Sequence, residues 1–416
     1  MSKYVVKGST ILTGDVTISG SKNSALPIMA ATILANGTSV ISNVPQLSDI
    51  QNMTELLCCI GAHIDVDNCG LTIKFDKLLS DAVSYESVSR LRASFLVTAP
   101  LLARTGSVKI SLPGGCRIGA RPVDLHLKGL AAMGAQITYG HGFIEANCPR
   151  LIGNMIYLDF PSVGATETLI MAGALAHGET VIENAAAEPE VADLARFISA
   201  MGGIVYGAGT DTVKVVGVTE LKGACHTVIP DRIEAGTFAT AIAVTKGRAR
   251  INHIIPAHLK PIIAKMRESG IGITEFSDCI DIDATGTVRA VDIKTLPYPG
   301  FPTDLQAPYT SMMSVADGTS VIVETIFENR FMHIPELARM GANVRIEGKT
   351  AVVEGINSLA GAHVKATDLR AGAALVMAGL CAHGVTEIDD IEHIQRGYFD
   401  FENKLMRLGA DIVKIW

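Results

Sequence analysis

Leu175-Ala176-His177-Gly178-Glu179-Thr180-Val181-Ile182 and Met201-Gly202-Gly203-Ile204-Val205-Tyr206-Gly207 decide how this chain folds, because both patterns recur along its length. In the first, an apolar Ala-rich helix is closed by glycine and followed by a strand; it returns at Gly37, Gly106, Gly247, Gly318 and Gly384. In the second, a helical pattern ends at a glycine that opens a short alternating strand; it returns at Gly61, Gly134, Gly270, Gly341 and Gly409. The two markers stay in step with a period of about 70 residues. A left-handed glycine at a helix end lets the chain turn without a Cβ clash.

Each unit reads as strand, helix, strand, helix, strand. The Ala-rich helices, such as 169–176 and 374–380, are apolar almost all round, which predicts helices buried inside and sheets outside. A period of about 70 residues exceeds that of ordinary solenoids, and no capping repeats are visible. Two similar globular halves of three units each fit better.

With 416 residues, 48% hydrophobic and 19% charged, the chain is long enough for two large cores. No apolar run approaches the ~18 residues that span a bilayer, so no membrane association is expected. The stretch Met1-Ser2-Lys3-Tyr4-Val5-Val6-Lys7-Gly8 lacks the apolar core of a signal peptide. With unpaired cysteines, this predicts a cytoplasmic protein. A formal charge of -7 argues against nucleic acid as the main partner. Cys58, Cys59 and Cys381 lie in apolar runs and read as core. Cys69, Cys148, Cys225 and Cys279 lack CxxC spacing, and His126, His333 and His393 read as structural or surface residues, so no metal and no cofactor are expected.

Cys116 is different. In Leu112-Pro113-Gly114-Gly115-Cys116-Arg117-Ile118-Gly119-Ala120-Arg121-Pro122, glycines allow a loop that brings a thiol and two guanidiniums towards one point. Cations favour the thiolate, the reactive form, and together they predict a site for an anionic substrate.

Further motifs carry a resemblance along essentially the whole chain: Gly20-Ser21-Lys22-Asn23, Leu91-Arg92-Ala93-Ser94, the 113–126 run, Ser162-Val163-Gly164-Ala165-Thr166, Glu188-Pro189-Glu190, Pro230-Asp231-Arg232-Ile233-Glu234, Phe301-Pro302-Thr303-Asp304, the 324–333 run ETIFENRFMH, Thr367-Asp368-Leu369-Arg370-Ala371 and Arg396-Gly397-Tyr398. In these motifs and their order the chain resembles the UDP-N-acetylglucosamine 1-carboxyvinyltransferases (UDP-GlcNAc enolpyruvyl transferases) of the EPSP synthase family. The resemblance implies an α/β fold, a two-domain inside-out α/β barrel of six repeated βαβαββ-like units with buried helices. One domain would comprise 22–229 with the Cys116 loop, the other 1–21 with 230–416, carrying Asp304, Arg370 and Arg396. The cleft between them is the expected site.

The implied reaction transfers the enolpyruvyl group of phosphoenolpyruvate to the 3-hydroxyl of UDP-N-acetylglucosamine by addition and elimination, releasing phosphate in the first committed step of peptidoglycan synthesis. The resemblance assigns Lys22, Asn23, Arg121, Arg370 and Arg396 to phosphoenolpyruvate, a task to which the planar fork of arginine is suited. Catalytic roles fall on Cys116, Asp304, Lys22 and Arg396, with Cys116 the proton donor, the site of a covalent adduct and the target of the epoxide fosfomycin, and Asp304 facing the sugar hydroxyl. UDP-N-acetylglucosamine contacts fall on Asn23, Arg92, Arg121, Pro122, Val123, Asp124, Leu125, Ser162, Val163, Gly164, Asp304 and Ile326. The Ser162-Val163-Gly164 amides would precede a helix beginning near Thr166, a position suited to phosphate.

Without the resemblance, Lys22 reads as a solvated lysine, Asp304 as a helix cap, and Arg370 and Arg396 as surface ion pairs with neighbouring carboxylates. Arg117 beside the cysteine and Ser48, where relatives commonly have lysine, depart from the familiar pattern. Two alternatives stand: an EPSP synthase-like enzyme acting on shikimate 3-phosphate, and a catalytically silent nucleotide-sugar-binding homologue. A monomer is the expected state.

Overall fold

The structure, a computed structural model, describes residues 2–67, 70–83, 91–111 and 123–416, with Arg92 described by its backbone alone. These residues form two units: one from 20–229, the other from 2–19 with 230–416. Each has its own apolar core.

One repeat shows the rule. Met155–Tyr157 runs parallel to Glu179–Glu183, which pairs antiparallel with Thr212–Val216, itself antiparallel to Ile204–Tyr206. Helix Val163–Ala174 connects the first two strands, and helix Pro189–Ala200 leads from Glu179–Glu183 to Ile204–Tyr206. The same parallel, antiparallel, antiparallel order holds in all six sheets. Three sheets are completed by distant segments. Leu221–Lys222 and Cys225–Thr227 run parallel to Ala35–Ser42. Thr13–Thr17 runs parallel to Arg248–Asn252, and Lys3–Lys7 lies between Val385–Asp389 and Asp411–Ile415. The last two pairings assign residues 2–19 to the same unit as 230–416.

The burial pattern has the layers the repeats predict. Along Thr350–Glu354, Ala351 and Val353 are fully buried while the intervening side chains face outward, the period-2 signature of a sheet solvated on one face. Helices Val163–Ala174, Arg232–Val244 and Leu369–Cys381 are buried on every side from their second or third residue to Ala174, Val244 and Leu380. Helices Arg232–Val244, Gln306–Met313 and Leu369–Cys381 pack on one another inside their unit. Eleven of the twelve marker glycines take a positive φ. At the exception Lys246 takes it instead, with φ 54. Gly247 is needed there for space, since a Cβ would stand 2.2 Å from the Leu12 carbonyl oxygen.

Two expectations are corrected. Cys58 and Cys59 are exposed, whereas Cys381 packs partly buried against the core of its unit. Helix Ser48–Cys59 buries Ile50, Met53, Leu56 and Leu57, and 100° per residue turns the next two positions outward. The helix expected near Thr166 begins at Val163, with Ser162 as its N-cap accepting from the Ala165 amide at 3.3 Å.

Candidate active site

Most of the described candidate residues stand near helix N-termini. In the unit with residues 230–416, Pro302 caps a 3-10 turn, Thr303–Leu305, that leads into helix Gln306–Met313. Asp304 in that turn makes no cap. Its Oδ1 accepts from Arg330 Nη2 at 2.7 Å and its Oδ2 from Arg370 Nη2 at 2.9 Å. Both arginines are buried, at 3% and 2% exposure, whereas the Asp304 side chain retains 25%. The carboxylate is therefore the accessible member of a buried charged group.

Arg370 is held from several directions. Asp368 caps helix Leu369–Cys381, accepting from the Arg370 and Ala371 amides at 2.8 and 3.0 Å, while the Arg370 side chain turns away from it to Asp304. The guanidinium lies 5.1 Å from the Tyr398 ring centroid, and the Tyr398 hydroxyl pairs with Thr237 Oγ1 at 2.9 Å. Burial disfavours its charge, but the Tyr398 and Asp304 oxygens outweigh that and raise its pKa. Arg396, half-buried, follows the short helix Glu392–Gln395 and stands two residues before Tyr398.

Glu324 links Asp304's neighbour to the loop bearing Ile326. Its Oε2 accepts from Thr303 Oγ1 at 2.9 Å, and its Oε1 from Thr295 Oγ1 and the Ile326 and Phe327 amides at 2.9, 2.8 and 3.2 Å. His333, fully buried, has its pKa lowered to about 4 by burial, with Asp368 and Arg330 acting in opposite directions.

In the 20–229 unit, Lys22 opens helix Lys22–Ala31 and is buried. Its Nζ bonds Asp49 Oδ2 at 2.9 Å, with side-chain exposures of 9% and 4%. Asn23 beside it is exposed, as is Ser48, the first residue of the next helix. Arg92 opens the 3-10 helix Arg92–Val97. Val123, Asp124 and Leu125 stand at the start of helix Asp124–Ala132, next to Ser162, Val163 and Gly164 at the start of Val163–Ala174. His126 joins the two: its Nδ1 pairs with Thr168 Oγ1 at 2.8 Å, and its ring would lie 3.0 Å from a Cβ on Gly164. Cys116, Arg117, Arg121 and Pro122 lie outside the described residues.

The structure thus brings Asp304 to Arg370, and Val123–Leu125 to Ser162–Gly164. Reasoning from sequence missed Arg330, Asp49 and Glu324. Arg330 and Glu324 lie inside the 324–333 motif, where the exposed and buried charges look alike in sequence; Asp49 carries no signal beyond its place beside Ser48. Among the described residues, no group of three or more His, Cys, Asp or Glu could hold a metal ion, and no helix is long and apolar enough to cross a membrane.

Comparison with known proteins bears on the whole chain. It is 56% identical over 413 residues to UDP-N-acetylglucosamine 1-carboxyvinyltransferase 1 of Caldanaerobacter subterraneus, covering 99% of each chain. It is 54% identical over 417 residues to UDP-N-acetylglucosamine 1-carboxyvinyltransferase 2 of Carboxydothermus hydrogenoformans, covering 100% of each. Among solved structures, the enolpyruvyl transferase NikO from Streptomyces tendae superposes with a TM-score of 0.91 at 25% identity, over 99% of this chain and 98% of that one. An EPSP synthase from Acinetobacter baumannii superposes with a TM-score of 0.77 at 20% identity, covering 100% of both, which speaks for the fold alone. Residues 6–405 match the family described as EPSP synthase (3-phosphoshikimate 1-carboxyvinyltransferase), and the chain belongs to that family.

Proposed function

We infer that this protein is a UDP-N-acetylglucosamine 1-carboxyvinyltransferase, an enzyme of peptidoglycan synthesis that moves the enolpyruvyl group of phosphoenolpyruvate to the sugar 3-hydroxyl. The observation that carries the reading is full-length identity of 56% and 54% to two enzymes of that name, against 20% to an EPSP synthase. In this reading the methylene carbon of phosphoenolpyruvate takes a proton from Cys116 and the sugar oxygen bonds to C2 as its own proton passes to Asp304. The C2–O bond to phosphate then breaks, and the methyl carbon returns a proton to restore the double bond.

Lys22, Asn23, Arg121, Arg370 and Arg396 bind the phosphate and carboxylate. Placement of Arg370 supports its share of this, since a guanidinium fixed by Asp304 and stacked on Tyr398 loses little freedom on gripping an anion. Asp304 keeps the exposure a proton acceptor requires. Val123–Leu125 and Ser162–Gly164 support the nucleotide-sugar reading because two helix N-termini adjoin there, and such ends favour phosphate. Arg92, Arg121, Pro122 and Ile326 complete that set. We read the enzyme as a cytoplasmic monomer, which sedimentation of the purified protein tests. The function is tested by phosphate release from phosphoenolpyruvate with each acceptor. Release with UDP-N-acetylglucosamine alone is expected; release only with shikimate 3-phosphate, or with neither, overturns the reading.

A further inference from the structure

Gly20 and Ile229 are the ends of the unit containing Lys22, and the two segments are pinned together. Ser21 donates its amide to the Ile229 carbonyl at 2.8 Å. A Cβ on Gly20 would stand 1.7 Å from the Asn43 carbonyl oxygen, so backbone closes on backbone there. The Asn43 amide side chain in turn donates to the Val228 carbonyl at 2.8 Å.

Asp193, from helix Pro189–Ala200, closes the ring. Its Oδ2 accepts from Ser24 Oγ at 2.6 Å and from the Ile229 amide at 3.2 Å. Its Oδ1 accepts from His226 Nε2 and Arg196 Nη2, each at 3.1 Å. Asp193 is 1% exposed and Ser24 fully buried. Burial alone would push this carboxyl's pKa up, but the bonds from His226 and Ser24 hold it below the ordinary value. An ionised carboxylate with four donors is rigid and costly to disturb.

Helix Lys22–Ala31 needs such a hold, because its N-cap Ser21 makes no side-chain cap bond. Ser24 lies in the same first turn as Lys22. We propose that Asp193 is a positioning residue for Lys22: by tying Ser24 to Ile229 it fixes the turn from which Lys22 reaches its ligand. The inference rests on the reading of Lys22 as a ligand of phosphoenolpyruvate. Misplacement of a binding group by about 1 Å can cost up to about 100-fold in rate.

Steady-state kinetics of the full-length enzyme with both substrates varied test it. Asp193→Asn, which keeps the shape but loses the charge and one strong acceptor, is expected to raise KM for phosphoenolpyruvate about tenfold while KM for UDP-N-acetylglucosamine stays within about twofold. Ser24→Ala, a milder change that removes a single bond, is expected to shift the same constant about threefold and keeps the test available should Asp193→Asn not fold. Arg196→Ala, whose side chain is 58% exposed, is expected to change neither constant. In a Lys22→Ala background, Asp193→Asn is expected to add no further rise. Equal changes in both constants, no change, or a full additional rise in that background would each show that Asp193 does not act through Lys22. If Lys22→Ala itself leaves KM for phosphoenolpyruvate unaltered, the reading of Lys22 fails instead.

Discussion

Helices Lys22–Ala31 and Leu369–Cys381 both carry a candidate cation in their first two residues, yet they secure it in opposite ways. Leu369–Cys381 is capped by its own preceding residue: Asp368 takes two first-turn amides, leaving the Arg370 side chain to pair with Asp304. Lys22–Ala31 has no side-chain cap and depends on carboxylates far along the chain, Asp49 for the ammonium and Asp193 for the turn. A local cap fixes the backbone whatever happens to the cation's partner; a remote one makes the partner part of the scaffold. The first cation also shares its carboxylate with Arg330, while the second has Asp49 as its ion-pair partner.

The largest effect should come from Asp304→Ala. It leaves two buried guanidiniums without their shared carboxylate and is expected to lower unfolding free energy by about 4 kcal/mol, since removing one side of a buried pair strands the other. Turnover should be lost as well, with UDP-N-acetylglucosamine binding by calorimetry retained. Denaturant melts within about 1 kcal/mol of the parent would mean that water already serves those arginines. Asp49→Asn strands one buried ammonium and is expected to cost about 3 kcal/mol in the same melts. A cost exceeding that of Asp304→Ala would reverse the comparison.

His333 gives the next test. Its folded pKa of about 4 lies below the ordinary 6.5 because burial disfavours the cation. Between those values the unfolded chain binds more protons than the folded one, so stability rises with pH across the window, is complete above pH 6.5, and is lost as pH falls towards 4. The expected loss is about 3 kcal/mol. His333→Gln removes the titrating group, and its melts should show a correspondingly shallower fall between pH 6.5 and 4; parallel curves would assign the acid sensitivity elsewhere.

The fold was legible because twelve glycine markers report backbone requirements that recur, and apolar helices with no polar face can only be interior. The one marker that departs, Gly247, shows the limit: sequence locates a glycine but not whether torsion or space demands it. Asp304 and Arg370 could be singled out as candidates because a motif carried each. Partners could not be, because Arg330 lies 26 residues from Asp304 and Asp193 lies 169 from Ser24, distances that only the packed helices close. Cys58 and Cys59 failed for a related reason: an apolar run says that a helix has a buried face, not where that face stops.

The smallest effect separates the two caps themselves. Asp368→Ala removes an acceptor from the Arg370 and Ala371 amides and is expected to cost about 1 kcal/mol, with Asp368→Asn recovering most of it because the amide oxygen can still accept. Ser21 occupies the same position before Lys22–Ala31, but its hydroxyl is buried without a hydrogen-bond partner among the described residues. Ser21→Ala should therefore cost no stability and raise it by up to about 1 kcal/mol, because an unsatisfied buried hydroxyl carries a desolvation penalty that its loss relieves. A cost equal to that of Asp368→Ala would show that Ser21 caps its helix in solution, and the two helices would then be secured alike.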